Sequence, residues 1–284
     1  MQLIKDLNTF SATRSRLEGE IGLVPTMGFL HEGHKALIRK ARMECSILIV
    51  TIFVNPTQFA PGEDLDTYPR NLPNDLSICE ELEVDYVFAP ESVSVLYPEG
   101  FCTFVECKIG LPETNPRSEG AFRPHFFRGV ATVVTKLFNI VKPSKAYFGQ
   151  KDAQQCSVIQ RMVVDLNLNI EIVIVPTVRE ADGLAMSSRN AYLTKEERGK
   201  AIILFQMLQK AKQLYLEGIT NASRIREEME VLAKQVDGFR LHYISICDPK
   251  TFIEYENEIP SSNTLVCVAG TLGKARLIDN ICLN

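Results

Sequence analysis

The residues best suited to chemistry lie at positions 25–34, where the sequence reads Pro-Thr-Met-Gly-Phe-Leu-His-Glu-Gly-His. An apolar run at residues 21–24 precedes them, and a segment of helical character at residues 35–43 follows. Where a strand, a glycine-bearing turn and a helix follow one another, backbone N–H groups and the helix dipole attract phosphate. His31 and His34 can share one face of the first helical turn and donate to phosphate oxygens. Surface loop histidines are the alternative, which suits a lone histidine better than a pair framed by glycines.

Three further segments carry groups that bind small anions. The amides of residues 55–58, Asn-Pro-Thr-Gln, can hold a hydroxy acid by its carboxylate and hydroxyl, although Asn-Pro is also an ordinary turn. In residues 149–152, Gly-Gln-Lys-Asp, Lys151 is placed to reach phosphate as a point charge, and Asp152 can also cap a helix. Residues 182–190 combine a glycine, two hydroxyls and an arginine, as in a flexible phosphate-clamping loop. A solvated linker between domains is the alternative for this last segment.

The order of apolar and helical segments predicts the scaffold that positions these groups. Residues 45–54 form a nearly continuous apolar, β-branched run, which is typical of a strand buried on both faces. Alternating strands and helices predict a parallel sheet over residues 1–185, with ligands at the carboxyl ends of its strands. Two predicted helices, residues 195–216 and 222–236, and three strands of antiparallel character then predict a smaller α+β domain over residues 186–284. The predicted fold class is therefore α/β with a second domain.

Composition excludes several classes of protein. The formal net charge of -4 argues against a nucleic-acid binder that depends on phosphate contacts. The longest apolar run is too short to span a membrane, and the first residues lack the pattern of a signal peptide. The eight cysteines form no Cys-x-x-Cys pair and have no zinc spacing. We therefore predict free thiols in the cytoplasm and no protein metal site.

These strings together resemble the pantothenate synthetase family, which shares the His-x-Gly-His signature with other nucleotidyltransferases. That family shows Pro-Thr-Met-Gly-x-Leu-His-x-Gly-His, Val-Asn-Pro-x-Gln-Phe, Arg-Pro-x-His-Phe, Gly-Glu-Lys-Asp, Met-Ser-Ser-Arg-Asn and a closing Arg-Leu-Ile-Asp-Asn in the same order, so the resemblance covers the whole chain. It implies an ATP-dependent ligase that condenses (R)-pantoate with β-alanine through a pantoyl-adenylate and releases AMP and pyrophosphate. It also implies Mg²⁺ with ATP, a homodimer, a Rossmann-like domain that binds nucleotide and pantoate, and a C-terminal lid domain.

The resemblance assigns roles to individual residues. It implies catalytic roles for His31, His34 and Lys151, with His34 as the family's usual proton donor. It places Gln58 and Gln155 on pantoate, with Gln58 also near β-alanine. The residues it implies for ATP are Met27, Gly28, Phe29, Leu30, His31, Glu32, Gly33, His34, Gly149, Gln150, Lys151, Asp152, Val178, Met186, Ser187, Ser188 and Arg189.

Three departures from the family strings affect the predicted pocket wall. Gln150 stands where the family has Glu, and Ala153 stands where an aromatic residue is usual. Phe126 stands where a histidine is usual, and His125 lies one place early, so we expect His125 to take no part in catalysis.

Two other functions fit the His-x-Gly-His signature. One is nucleotidyl transfer onto a phosphate substrate, which release of AMP would exclude. The other is a nucleotide-binding regulator without turnover, against which the complete set of predicted catalytic residues argues.

Overall fold

The structure is a computed structural model that describes residues 1–110, 113 and 115–284. In chain order its strands and helices are β1 Gln2–Ile4, α1 Leu7–Arg14, β2 Ile21–Thr26, α2 Glu32–Glu44, β3 Ile47–Ile52, α3 Leu72–Glu81, β4 Tyr86–Phe88, α4 Val93–Leu96, α5 Glu119–Phe122, α6 Phe126–Val141, β5 Lys145–Gly149, α7 Ala153–Asp165, β6 Glu171–Val175, α8 Lys195–Lys200, α9 Ile203–Leu216, α10 Ala222–Lys234, β7 Phe239–Cys247, β8 Thr264–Leu272 and β9 Ala275–Leu283. Short 3-10 helices cover Pro56–Gln58, Gln150–Asp152 and Ser188–Tyr192. Within the described ranges, no helix is long and apolar enough to cross a membrane.

A six-stranded parallel sheet has the order β1-β4-β3-β2-β5-β6. β2 and β3 pair along their whole length, and most of their residues are buried, as expected for strands covered on both faces. Leu37 and Ile38 of α2 lie in the same apolar cluster as Val24 and Val50 of these strands. The sheet and its helices confirm the predicted Rossmann-like α/β architecture.

The strand order reverses between β2 and β5. The sheet continues from β2 through β3 and β4 on one side, whereas β5 and β6 are added on the other. In parallel sheets such a reversal opens a crevice at the carboxyl ends of the strands, and ligands bind there. The segments that leave β2, β3 and β5 at this edge begin at residues 27, 53 and 150. Three of the strings identified in the sequence therefore begin at the same edge of the sheet.

The C-terminal sheet is antiparallel, with the order β7-β8-β9, and α9 and α10 cover it with apolar side chains that include Met207 and Ile225. It confirms the predicted smaller α+β region. The prediction of one helix over residues 195–216 was wrong, because α8 ends at Lys200 and α9 begins at Ile203. Between them the Leu204 N–H binds the Ala201 carbonyl, three residues back, so the turn is tighter than an α-helix allows.

Two compact units make up the chain, and their sequence ranges interleave. The first comprises Met1–Lys108, His125–Gly149 and Val158–Pro176, and it contains the parallel sheet. The second comprises Ile109–Pro124, Gln150–Ser157 and Thr177–Asn284, and it contains the antiparallel sheet. The domain boundary that the sequence suggests after residue 185 stays a prediction.

Candidate active site

The turn after β2 has an unusual backbone that side chains hold in place. Gly28 and Phe29 have φ values of 83° and 52°, and a bulky residue such as Phe rarely adopts the left-handed region. Asp75 of α3 accepts from the Phe29 N–H at 2.8 Å and from the Leu30 N–H at 2.7 Å. The Thr26 hydroxyl accepts from the Gly28 N–H at 3.1 Å. Three consecutive amides are therefore bound, which stabilises a conformation that is costly by itself.

The two histidines cap the start of α2 reciprocally. His31 Nδ1 accepts from the Gly33 N–H at 3.1 Å, and His34 Nδ1 accepts from the His31 N–H at 3.3 Å. The ring centroids are 4.1 Å apart, so both rings lie on one face of the first turn. A neutral imidazole nitrogen that accepts a hydrogen bond carries no hydrogen, so the hydrogen of each neutral ring lies on Nε2. Both rings thus carry an N–H donor at a helix start, where the dipole favours anions.

Gln58 lies in the 3-10 helix that follows β3, and its side chain is buried. Asn55, which is 1% exposed, donates to Gln58 Oε1 at 3.0 Å and to the Gly129 carbonyl at 3.2 Å. Asn55 Oδ1 accepts from the hydroxyls of Thr57 and Tyr97. Asn55 is therefore an internal support rather than a second ligand-binding amide. Because Asn55 binds the acceptor of Gln58, the orientation of the Gln58 amide is fixed.

Lys151 and its neighbours follow β5 and belong to the second unit. Lys151 Nζ lies 3.3 Å from Asp152 Oδ1, and the Lys151 side chain is 20% exposed. The Asn280 side-chain nitrogen donates to the Lys151 carbonyl at 2.8 Å. Gln155 lies in the first turn of α7 and is half-buried. The two residues predicted to bind phosphate and pantoate in this segment are thus separated by one helical turn.

The segment predicted to clamp phosphate begins as a hydrogen-bonded hairpin. The Met186 N–H donates to the Val178 carbonyl at 3.0 Å, and Arg179 and Ala185 form an antiparallel bridge. Gly183, with φ of 97°, makes the tight turn between them. A side chain at Gly183 would be strained whatever the space, because this φ favours glycine.

The hydroxyls follow in the next turn. Ser187 caps the 3-10 helix Ser188–Tyr192 by accepting from the Arg189 N–H at 3.3 Å. Ser188 is buried, and Arg189 is half-buried. Hydrogen bonds of the hairpin before residues 187–189 and of the 3-10 helix that follows Ser187 therefore fix the backbone of the predicted Ser-Ser-Arg group.

The polar residues of the closing string, residues 276–280, bind within the second unit. Arg276 makes two bonds of 2.7 Å to the buried Glu119 carboxylate. Burial raises the pKa of Glu119, but Arg276 and then Arg123 outweigh it, so the pKa lies below its usual value. Asp279 binds Arg179 with both carboxylate oxygens. This string therefore supports other segments of its unit.

Two further residues considered in the sequence analysis are Glu32, which was predicted to bind ATP, and His125, which was predicted to take no part in catalysis. Glu32 pairs with Lys35 and Arg39, each at 3.1 Å. His125 is exposed, precedes α6 directly and makes no side-chain capping bond. Within the part of the chain that the structure describes, no group of three His, Cys, Asp or Glu side chains could hold a metal ion.

Known proteins match this chain over its full length. The family model described as Pantoate-beta-alanine ligase matches residues 1–282. The pantothenate synthetase of Roseiflexus castenholzii is 50% identical over 283 residues, which cover 100% of this chain and 99% of that protein. The chain belongs to the pantoate-beta-alanine ligase family. Pantothenate synthetase from Thermus thermophilus shares its structure, with a TM-score of 0.91, 43% identity and 99% of each chain covered.

A second solved relative of this ligase is described as a complex. It is the pantoate-beta-alanine ligase of Francisella tularensis, with a TM-score of 0.81, 35% identity, and 99% of this chain and 97% of that chain covered. The compounds bound to that protein are beta-gamma ATP and β-alanine.

The sequence contains no indication of the role of Asp75, which supports the turn between β2 and the two histidines of the ligase. Burial raises the pKa of its carboxyl above the usual value, while the Leu30 and Phe29 N–H groups oppose that rise. An acidic residue in the first turn of a helix is ordinary, and Asp75 lies 46 positions from Phe29, so no local pattern indicated the contact.

We expect Asp75→Asn to destabilise the ligase, because an amide can accept from only one of the two N–H groups and turns its own N–H towards the other. A buried donor left without an acceptor costs about 1 to 2 kcal/mol. Chemical denaturation measures the loss in the free energy of unfolding. Glu80→Gln makes the same change at an exposed position of α3 and serves as the control. Equal stability of the two variants would contradict the proposed support.

Proposed function

We propose that this ligase condenses (R)-pantoate with β-alanine in an ATP-dependent reaction. The pantoate carboxylate attacks the α-phosphorus of ATP, pyrophosphate leaves, and pantoyl-adenylate forms. The β-alanine amine then attacks the acyl carbon, and pantothenate and AMP are released. The observation that carries this proposal is the reciprocally capped pair, His31 and His34, at the start of α2 beside the strand-order reversal.

In the adenylation step the protein must position the phosphates and neutralise the charge that develops on them. The Nε2–H groups of His31 and His34 are proposed to donate to phosphate oxygens, while the cationic Lys151 supplies charge. Gly28 and its neighbours in the turn after β2 are proposed to lie against the nucleotide, and Ser187, Ser188 and Arg189 are proposed to bind its phosphates. Val178 and Met186, which close the hairpin, are proposed to contact the nucleotide as well.

Gln58 and Gln155 are proposed to bind pantoate. Asn55 fixes the orientation of the Gln58 amide, which is an arrangement suited to donating to a carboxylate. The proposed position of β-alanine is also beside Gln58. Excluding water from the pantoyl-adenylate would favour attack by the amine over hydrolysis.

Mg²⁺ is proposed to accompany ATP and to reduce the charge of its phosphates. Magnesium is commonly bound by phosphate oxygens, waters and one or two carboxylates, so a full protein cage is not needed. Among the residues predicted to bind ATP, the carboxylates are Glu32 and Asp152. Glu32 is paired with Lys35 and Arg39, and Asp152 lies 3.3 Å from Lys151, so phosphate oxygens and waters would supply most of the ligands of this ion. The homodimer and the cytoplasmic location stay predictions.

We expect AMP to form only when ATP, pantoate, β-alanine and Mg²⁺ are all present, because the acyl-adenylate forms from ATP and pantoate and is consumed by β-alanine. A coupled AMP assay in which each component is omitted in turn tests this expectation. Steady AMP formation without pantoate would overturn the proposal. A dinucleotide-type product would instead indicate nucleotidyl transfer to a phosphate substrate.

A further inference from the structure

The side chain of Asn280, in β9, forms hydrogen bonds to the backbone of the Lys151 segment, residues Gln150–Asp152. Its Nδ2 donates to the Gln150 carbonyl at 2.9 Å and to the Lys151 carbonyl at 2.8 Å. Its Oδ1 accepts from Gln150 Nε2 at 3.3 Å. Asn280 is 4% exposed, so these bonds are shielded from competing water. One buried amide therefore holds the backbone of two consecutive residues in a short 3-10 helix.

Asp279, the preceding residue, fixes Asn280 in turn. Its Oδ1 accepts from the Asn280 N–H at 2.7 Å, and both carboxylate oxygens bind Arg179, at 2.6 and 3.0 Å. The Arg179 guanidinium also donates to the Gly183 carbonyl at 3.0 Å and lies over the Phe205 ring. The hairpin and the Lys151 segment are thus both bound to adjacent residues of one strand.

β9 is a suitable support because its own position is well defined. It pairs with β8 in continuous antiparallel register from Thr264↔Leu283 to Leu272↔Ala275, and Asn280 lies opposite Cys267. A strand paired over nine residues holds its backbone as one unit. A lysine side chain has many rotamers, so the position of its amine depends on where its backbone is held.

We propose that Asn280 is a positioning residue for Lys151 in the adenylation step. The inference rests on the proposed function, because Asn280 acts only through the amine that Lys151 presents to the phosphates. It also gives a reason for Gln150, where family members carry Glu. The Gln150 side chain can donate to Asn280 Oδ1, which a carboxylate cannot do, while the Gln150 main-chain carbonyl accepts from Asn280 Nδ2.

A double-mutant cycle tests this role. We expect Asn280→Ala to slow pantoyl-adenylate formation about tenfold in rapid-quench measurements, since small misplacements of a catalytic group are costly. In the Lys151→Ala background the same change is expected to cost less than about twofold, because residues that act through one another are not additive. With pantoyl-adenylate supplied, reaction with β-alanine is expected to stay within about twofold of the unmodified ligase, since Lys151 positioning acts before that step.

Two further variants separate positioning from folding. Asn280→Ser keeps a polar group but is too short to bridge both carbonyls, and it replaces Asn280→Ala in the cycle if the alanine variant does not fold. Cys282→Ala, two residues further along β9, is the matched control and is expected to leave both half-reactions unchanged.

The outcomes separate this inference from the proposed function. An additive loss in the double variant, or an equal loss in the two half-reactions, would overturn the role of Asn280 while leaving the proposed function in place. Normal adenylation in Lys151→Ala would remove the proposed role of Lys151 and the inference with it.

Discussion

His34→Ala and Lys151→Ala are each expected to slow pantoyl-adenylate formation about a hundredfold, which corresponds to about 3 kcal/mol for one preorganised donor to a developing charge. His34 Nδ1 is engaged by the His31 N–H, so the loss of the ring removes the Nε2–H donor from the helix start. Lys151 contributes a point charge that no neutral residue replaces. Rapid-quench measurement of the adenylate, with thermal unfolding recorded for each variant, provides the test.

Each of these variants has a matched control. His125→Ala removes an exposed histidine at the start of α6, and we expect turnover to change less than about threefold, the scale of a surface substitution. Lys212→Ala removes an exposed lysine of α9 in the second unit and is expected to be equally mild. Near-normal adenylate formation in both His34→Ala and Lys151→Ala would move the active site elsewhere. A hundredfold loss in His125→Ala would instead give that histidine a catalytic role.

Much of the fold could be predicted because its central strands are buried on both faces. The apolar run at residues 45–54 contains β3, Ile47–Ile52. Because both faces of this strand are covered, its sequence is almost continuously apolar and lacks the alternation of polar and apolar residues that marks a surface strand. β1 was missed because Gln2–Ile4 is only three residues long and is stabilised by pairing with β4, over 80 positions away. The break between α8 and α9 carries no proline, and its residues Ala201 and Ile202 are both compatible with a helix, so local propensity indicated one helix.

The sequence indicated which side chains could do chemistry but not what holds them. His31 and His34 are recognisable because their spacing is local, and a helix start needs only a few residues. The Asp75 and Asn280 contacts join residues 46 and 130 positions apart, respectively, and no periodicity encodes such pairs. Asn55 looked like a ligand-binding amide, whereas the structure commits its side chain to Gln58, Gly129, Thr57 and Tyr97.

Gln58→Ala is expected to weaken pantoate binding by about 2 to 3 kcal/mol, roughly 30- to 150-fold, while ATP affinity changes little. The predicted donor to the pantoate carboxylate is the Gln58 amide. When a buried carboxylate loses its donor, no hydrogen bond offsets the free energy of removing it from water, so binding weakens. Gln155→Ala is expected to act in the same direction, since Gln155 is the second amide predicted to bind pantoate. Calorimetric titration of ATP and pantoate, each by itself, measures the two affinities.

Gln58→Glu sharpens this test because its size is nearly unchanged while its donor is replaced by a negative charge. Its carboxylate can still accept from Asn55, so the internal support is kept, but it repels the carboxylate of pantoate. We therefore expect Gln58→Glu to bind pantoate more weakly than Gln58→Ala, although both keep their affinity for ATP. Gln160→Ala, at an exposed position of α7, is the matched control for Gln155. If the Gln58 variants lost affinity for ATP and pantoate alike, Gln58 would be a structural residue of the β3 turn rather than part of a pantoate site.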